Sequence, residues 1–273
     1  MCGCTPRATL KLHRVKLTKA KFAAMPASER SLLLLLGHAS NEITVLSKLI
    51  LMARKDEAPI PQFVDHVEAG QIFIIMRILI GKLHEAWLLF GTRVQADPKM
   101  RPYIPNLPPR AATALQKLNK HFGKGSPLTD IRNQVSFHYK DEDDLVESNF
   151  HKLGDSEPWE FYLANTIGNT FYLGSETVIA RSVIDLMKPK PAAGTAPGDL
   201  SQEAKAFKRL CDIVISVSGE LPELFGPIMA EIISKYTDSE MDIVDVPNVP
   251  KLSKSCLHYF HDEDDILPSG SAK

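Results

Sequence analysis

Apolar residues recur every three or four positions over two long stretches of this chain. The first begins near Ser28, runs through the leucines at 32–36 and continues to about residue 54. The second covers about 63–93, where aliphatic and aromatic residues keep the same period. A period near 3.6 residues is typical of an amphipathic helix. The pattern predicts two long antiparallel helices, with Leu35 on the apolar stripe of the first, joined by a short turn containing Pro59 and Pro61.

Four further helices are predicted after the proline-rich connection at 97–109. Each shows apolar residues at helical spacing. The first covers about 110–121, and the second follows Leu128. The third runs from Ser175 to Met187, and the fourth covers about 200–236. In the last helix, Pro222 and Pro227 predict a break or a kink, because proline removes a helical hydrogen bond.

The pattern changes around 158–173, where two short aromatic runs flank Gly168 and Asn169. Such runs around a pair of turn residues predict a small β-hairpin. We therefore predict a mainly α fold, an up-and-down helical bundle with long antiparallel helices and a small β-hairpin insertion. The expected segments are a basic arm at 1–26, the bundle at 27–237 with a loop at 188–199, and a tail at 238–273.

Charge is uneven along the chain, although the formal net charge is only -1. Residues 1–30 hold many lysines and arginines but the single acid Glu29, whereas the tail contains the acidic run 262–265. The hydrophobic fraction of 44% is that of an ordinary soluble protein. Charged or polar residues interrupt both long apolar stretches, so we expect no membrane span.

Cysteine usage indicates a reducing compartment. The chain has four cysteines, Cys2, Cys4, Cys211 and Cys256, which are too few for a disulfide framework in a chain of this length. No second close pair completes a zinc-ligand set beside Cys2 and Cys4. We therefore expect a cytoplasmic protein.

One segment joins a permanent cation to a side chain that exchanges protons near neutral pH. His138 follows Arg132 by six positions. On an α-helix, six residues place two side chains roughly 120° apart around the axis and about 9 Å along it. The two side chains therefore share a groove only if Arg132 reaches around its helix or a second protomer completes the site.

Together these residues have the minimum equipment for cutting RNA without a metal. His138 would take the 2′-OH proton or protonate the leaving 5′ oxygen, and Arg132 would hold the scissile phosphate. Asn133 would help to position either group. The residues that would contact RNA are Lys124, Ser136, Tyr139 and Lys140. The alternative is a solvated arginine and a histidine at the edge of the core.

Arg132, Asn133 and His138, on a helix that follows two long helices, resemble the motif of the HEPN superfamily. That motif has an arginine, usually a polar residue next, and four to six residues between arginine and histidine. The resemblance covers about 28–150. It implies a homodimer in which two motifs face one cleft, and metal-independent endoribonuclease activity that needs no cofactor. It also implies toxin, antiphage or RNA-processing roles, with an antitoxin or regulatory partner, although some members are non-catalytic interaction modules.

A second polar cluster contains His38, Asn41 and Glu42, with His38 and Glu42 one helical turn apart. Imidazole and carboxylate both bind metals, which makes a metal-binding bundle an alternative function. A helical di-metal site would need a repeated Glu-x-x-His set, which this chain lacks, so we predict no metal site. The cluster is otherwise a polar network that pairs the first two helices, or a support that orients groups of the Arg132–His138 cleft.

Overall fold

The protein is mainly α-helical, with one small antiparallel sheet in the part of the chain that the structure describes. The structure is a computed structural model that describes residues 8–53, 61–136, 150–151, 159–164, 167–188, 200–237, 242–252 and 255–261. The helices and strands are β1 (Ala8–Arg14), α1 (Lys19–Ala24), α2 (Ala27–Met52), α3 (Gln62–Phe90), α4 (Pro109–His121), α5 (Pro127–Ile131), α6 (Leu173–Met187), α7 (Leu200–Ser234) and β2 (Asp242–Val249). The shorter turns are the π-helical Gly91–Gln95 and Arg132–Ser136 and the 3-10 Arg101–Tyr103 and Ile167–Asn169. The predicted fold class is confirmed.

The two long helices begin and end within a few residues of the predicted positions. On α2 the buried stripe is formed by Leu32, Leu36 and Ile43, which lie on one helical face. Leu35, which we predicted to lie on that stripe, is exposed instead. Five consecutive leucines cannot all face inward on a helix, and the sequence alone does not show which of them do.

Helix α7 continues through both of its prolines as a single helix. This corrects the predicted break at Pro222 and Pro227, while the kink predicted as its alternative stays a prediction. Each proline removes one backbone donor, but Leu221, Leu224 and Phe225 are fully buried around them. Burial of these side chains holds the helix across the missing hydrogen bonds.

The two-stranded sheet pairs residues from opposite ends of the sequence. Strand β1 runs antiparallel to β2, with Leu12 opposite Val244. Arg14 and Asp242, at the end of this ladder, form an ion pair at 3.0 Å. The basic arm and the tail, which we predicted as separate segments, therefore pair with each other.

The predicted hairpin at 158–173 is reduced to one isolated antiparallel bridge between Tyr162 and Phe171 in the described residues. A 3-10 turn, Ile167–Asn169, lies between them in the sequence. The predicted loop at 188–199 lies outside the described residues except for Lys188. The aromatic runs thus bring two short segments together without building a regular ribbon.

The chain divides into two compact units, and each has its own core. The first consists of Met1–Lys48, Lys82–Gly123 and Ser216–Ser255. Its fully buried side chains include Leu36, Phe90, Leu118 and Phe225. The second consists of Leu49–Gly81, Lys124–Ile215 and Cys256–Lys273. Its fully buried side chains include Leu79, Ile80, Leu128 and Ile131.

Candidate functional site

Arg132 lies at the start of a π-helical turn, Arg132–Ser136, which we call the Arg132 turn. The turn directly continues α5, and both pack against α6. Leu128, Ile131 and Val135 are buried and form the inner face of this segment. Short π-helical turns inside helices occur frequently at functional sites. The sequence predicted an ordinary α-helix here, because periodicity cannot distinguish the two over a single turn.

The polar side chains of the Arg132 turn lie on its outer side. Asn133 is exposed and Arg132 is partly exposed. The Arg132 Nη1 group donates a hydrogen bond to Asn133 Oδ1 at 3.0 Å. The amide oxygen of Asn133 therefore lies against the guanidinium, and the positioning role predicted for Asn133 stays a prediction. A guanidinium held in this way presents a cation with fork geometry that suits phosphate.

The second half of the predicted motif lies outside the described residues. This applies to His138, Tyr139 and Lys140, and the side chain of Ser136 is not described either. Lys124 is exposed and precedes Gly125, whose positive φ of 77° favours glycine. The roughly 120° separation of Arg132 and His138 assumed α-helical geometry, which the Arg132 turn does not have.

His38 and Glu42 form the one-turn pair that their spacing predicted. His38 Nε2 lies 3.6 Å from Glu42 Oε2, and the His38 side chain is largely exposed. The Lys82 ammonium donates to Glu42 Oε1 at 2.6 Å, which ties α2 to α3. Asn41 is exposed. This geometry matches a polar link between the first two helices.

The same contacts bear on the metal-binding alternative. Lys82 already places a cation against Glu42, and a divalent metal there would face its repulsion. Within the described ranges, no three histidine, cysteine, aspartate or glutamate side chains are grouped as a metal would need. Glu42 and Arg132 belong to different units, so the orienting role proposed for this cluster stays a prediction.

A buried acid that sequence reasoning missed is the centre of a larger polar cluster. Glu29 accepts hydrogen bonds from the Tyr103 hydroxyl at 2.6 Å, the Tyr236 hydroxyl at 2.7 Å and the Lys235 ammonium at 3.2 Å. The Lys235 ammonium also donates to the Tyr103 oxygen at 2.5 Å and lies 4.3 Å from the centre of its ring. We call these four residues the Glu29 cluster.

The hydrogen bonds of the Glu29 cluster fix its charge states. Burial raises the pKa of Glu29, but the hydrogen bonds from Tyr103, Tyr236 and Lys235 outweigh burial and hold this pKa below its ordinary value of 4.5. Burial, followed by the hydrogen bond to Glu29, raises the pKa of Tyr103 to about 12. The hydrogen bond to Tyr103 raises the pKa of Lys235 against the opposing effect of burial. At neutral pH the cluster holds an anion, a cation and two neutral hydroxyls.

The Glu29 cluster ties together three segments that are distant in the sequence. Glu29 lies in the first turn of α2, Tyr103 in a 3-10 turn, and Lys235 and Tyr236 just after α7. Glu29 and Tyr103 are 74 positions apart, and Glu29 and Lys235 are 206 apart. No local pattern links such positions, and an acid in the first turn of a helix needs no other explanation. Because both carboxylate oxygens already accept hydrogen bonds inside the protein, we interpret this cluster as structural.

Part of the basic N-terminal arm is neutralised by the strand that pairs with it. Arg14 and Lys16 both contact Asp242, at 3.0 and 3.4 Å. These contacts lower the pKa of Asp242, chiefly through the hydrogen bond from Arg14. Asp242 therefore offsets part of the positive charge of the arm.

Comparison of the chain with protein-family models, with curated proteins and with solved structures finds no match. Among the described residues one helix, Gln202–Ser234, is long and apolar enough to cross a membrane. Core helices of soluble proteins have the same length and composition, so this is a weak indication of a membrane span. The buried positions Leu210, Val217, Leu221 and Phe225 on one face are typical of such a core helix.

Proposed function

We propose that this protein is a HEPN-like, metal-independent endoribonuclease whose site is centred on the Arg132 turn. The observation that supports this proposal is the division of that turn into two sides. Ile131 and Val135 anchor it in the core, while Arg132 and Asn133 lie outward and are hydrogen-bonded to each other. A cation held on a rigid base is suited to binding a phosphate in a fixed position.

Each residue of the proposed site has a defined role in the reaction. His138 removes the proton of a ribose 2′-OH or donates a proton to the leaving 5′ oxygen, and water makes the other of these two proton transfers. The 2′ oxygen attacks the adjacent phosphorus, so the bond to the 5′ oxygen breaks and a cyclic phosphate and a 5′-hydroxyl result. Arg132 binds the phosphate and stabilises the charge that develops on it, and Asn133 orients Arg132. Lys124, Ser136, Tyr139 and Lys140 contact the remaining RNA.

The proposal includes a homodimer, which the resemblance to the HEPN superfamily implies. In a dimer, two such motifs complete one cleft. A cytoplasmic setting and control by an antitoxin or another regulatory protein complete the proposal, since an unrestrained ribonuclease harms its own cell.

The proposal is tested by incubating the purified full-length protein with unstructured and structured RNA in excess EDTA. A matched RNA with 2′-O-methyl groups is the control substrate, because it lacks the attacking hydroxyl. We expect the unmodified RNA to be cut and the methylated RNA to survive. Cleavage that stops in EDTA, or that proceeds on the methylated RNA, would contradict this mechanism.

The dimer has a test of its own. Arg132→Ala and His138→Ala proteins are assayed separately and after mixing under conditions that allow subunit exchange. We expect partial recovery of cleavage in the mixture, because a mixed dimer keeps one arginine and one histidine in the shared cleft. A monomeric wild-type protein with full activity would contradict the shared cleft.

A non-catalytic interaction module is the second candidate function. The observation that favours it is a group of exposed apolar side chains around residues 159–172, including Trp159, Phe161, Leu163 and Tyr172. Exposed apolar groups of this kind mark interaction surfaces. If the protein cuts no RNA under any of the conditions above, the result favours the interaction module. The metal-binding alternative would require stoichiometric metal in the purified protein.

A further inference from the structure

The segment at 159–164 contains the isolated bridge at Tyr162, and its main-chain hydrogen bonds point to one side. Tyr162 and Phe171 exchange two backbone hydrogen bonds, at 2.8 and 2.7 Å. The Glu160 carbonyl accepts from the Gly174 amide at 3.1 Å, and the Ala164 amide donates to Thr170 Oγ1 at 3.2 Å. Alternate residues of the segment therefore direct their main-chain groups toward 170–174.

The intervening residues present their main-chain groups on the opposite side. In an extended strand, successive amide and carbonyl pairs point to opposite edges, so those of Phe161 and Leu163 point away from 170–174. Neither residue makes a backbone hydrogen bond within the described part of the chain. Within the described part of the chain this side of the segment is an unpaired edge, and along extended backbone the matching groups repeat about every 6.8 Å. Such an edge is a template for pairing with another extended chain.

An aromatic groove lies along the same segment. Its volume is about 500 Å³, and it is lined by Phe63, Tyr162 and Phe260 together with Phe161, Leu163 and Asn169. The Phe63 ring lies 5.4 Å from that of Tyr162 and 6.3 Å from that of Phe260. The side chains at the unpaired edge are open to solvent, with Phe161 51% and Leu163 74% exposed. The groove residues carry no formal charge.

Polar contacts hold the two walls of the groove against each other. Asn169 donates to the His261 carbonyl at 2.8 Å and accepts from the His261 amide at 3.0 Å. The Tyr259 hydroxyl donates to the Thr170 carbonyl at 2.5 Å, and its ring lies 4.8 Å from that of Phe171. Because these contacts fix both walls before anything binds, little ordering entropy would be lost on binding.

We propose that this edge and groove bind an extended peptide segment of a partner protein, which adds as a strand beside 159–164. Main-chain hydrogen bonds to Phe161 and Leu163 supply affinity, and an apolar peptide side chain enters the groove and supplies selectivity. The occupant is a polypeptide because only an extended backbone offers donors and acceptors at the repeat of this edge. Single-stranded RNA would stack on the rings, but none of the described residues that line the groove is a cation that could contact its phosphates.

This inference does not depend on RNA cleavage, and its test measures binding alone. The probe is a fluorescein-labelled, soluble peptide that alternates valine with threonine and has two lysines at each end. It is titrated with the full-length protein by fluorescence anisotropy. Two further probes have the same sequence, with the backbone nitrogen methylated on all valines in one and on all threonines in the other.

The methylated probes decide whether strand pairing occurs. Alternate residues of a paired strand point their amides to opposite sides, so only one methylated set faces the protein edge. We expect one of these probes to bind at least tenfold more weakly than the parent peptide and the other to bind within about threefold of it. Equal binding of both methylated probes, or no saturable binding of the parent peptide, would overturn the proposal.

A pair of protein variants tests the same edge from the other side. Leu163→Pro removes an amide that makes no hydrogen bond in the described fold, whereas the matched Leu163→Ala keeps that amide and shortens the side chain. We expect the proline variant to bind the parent peptide at least tenfold more weakly than the alanine variant. If the proline variant fails to fold, the methylated probes decide the question alone.

Two other occupants are distinguished in the same experiments. A labelled oligouridylate that displaces the peptide from this groove would assign the surface to RNA and overturn the proposal. Gel filtration compares the wild type with Leu163→Pro. A wild-type dimer and a Leu163→Pro monomer would assign the edge to a second copy of the chain, and this result would also overturn the proposal.

Discussion

The Glu29 cluster and the Arg132 turn are both polar groups set against apolar helices, but their polar atoms face in different directions. In the cluster, one buried carboxylate accepts hydrogen bonds from Tyr103, Tyr236 and Lys235. In the turn, the apolar residues face inward and Asn133 is exposed beside Arg132. Both groups are hydrogen-bonded, so burial, and not residue type or hydrogen bonding, is what separates the enclosed Glu29 carboxylate from the outward-lying Arg132 and Asn133.

The largest effect that separates the two regions is expected from Arg132→Ala. Removing one preorganised donor to a developing charge typically costs about 10²–10³ in rate, so we expect RNA cleavage to fall by at least about 100-fold. The free energy of unfolding should change by less than about 0.5 kcal/mol, because the side chain lies on the surface side of the turn. Cleavage rates in EDTA and urea unfolding measure the two quantities.

Arg110→Ala is the matched control for this prediction. Arg110 is largely exposed and forms an ion pair with Glu223 at the surface. We expect this substitution to change neither cleavage nor stability measurably. If Arg132→Ala unfolds the protein while Arg110→Ala does not, Arg132 is structural and the comparison fails.

Glu29→Ala should have the opposite profile, with a loss of stability and no specific loss of cleavage. Without the carboxylate, the buried Tyr103 hydroxyl loses its acceptor, and we expect the free energy of unfolding to fall by about 2–3 kcal/mol. Glu223→Ala, at an exposed ion pair, should cost less than about 0.5 kcal/mol. Equal effects of the two substitutions in urea unfolding would contradict a structural role for the Glu29 cluster.

Tyr103→Phe removes one hydrogen bond of the same cluster and keeps the ring. We expect a smaller loss, about 1 kcal/mol, because Glu29 retains its other two donors. A double-mutant cycle with Glu29→Gln should give a coupling energy of at least about 0.5 kcal/mol. Strictly additive effects would show that the two side chains act independently.

The smallest effect concerns the dependence of stability on pH. The pKa of Glu29 is lowered in the folded protein, so its contribution is present above its ordinary value of 4.5 and is lost as pH falls through the folded pKa. The pKa of Tyr103 is raised from 10.0 to about 12, so its contribution is present below 10.0 and is lost as pH rises toward 12. We expect the unfolding free energy of Glu29→Gln to change less steeply with pH than that of the wild type in the acidic window. We expect the same of Tyr103→Phe in the alkaline window. Unchanged slopes would contradict these assignments.

The helices were largely predictable because their signal is local. The apolar period predicted α2, α3, α4 and α6 within a few residues, and Pro109 lies at the first position of α4 as expected. The period did not show which of the adjacent leucines at 32–36 would be buried. Nor did it show that α7 would pass through two prolines, since packing of distant side chains decides that outcome.

The contacts between distant residues were not predictable from one sequence. Strand β1 pairs with β2 across most of the chain length, and neither strand is long or strongly patterned. The Glu29 cluster joins residues for which no spacing rule exists. At the candidate site, the motif residues could be picked out from the sequence, but the π-helical geometry of the Arg132 turn depends on packing against α6.

The most direct test of the proposed function compares the wild-type protein with His138→Ala on one labelled RNA in excess EDTA. General acid–base catalysis is typically worth about 10²–10⁴ in rate, so we expect the variant to lose at least about 100-fold in cleavage rate. His66→Ala, at an exposed histidine of α3, is the control and should cut like the wild type. We predict that the wild type cuts the RNA and leaves a 5′-hydroxyl end. Intact RNA with the wild-type protein, or equal cleavage by His138→Ala, would contradict the proposed function.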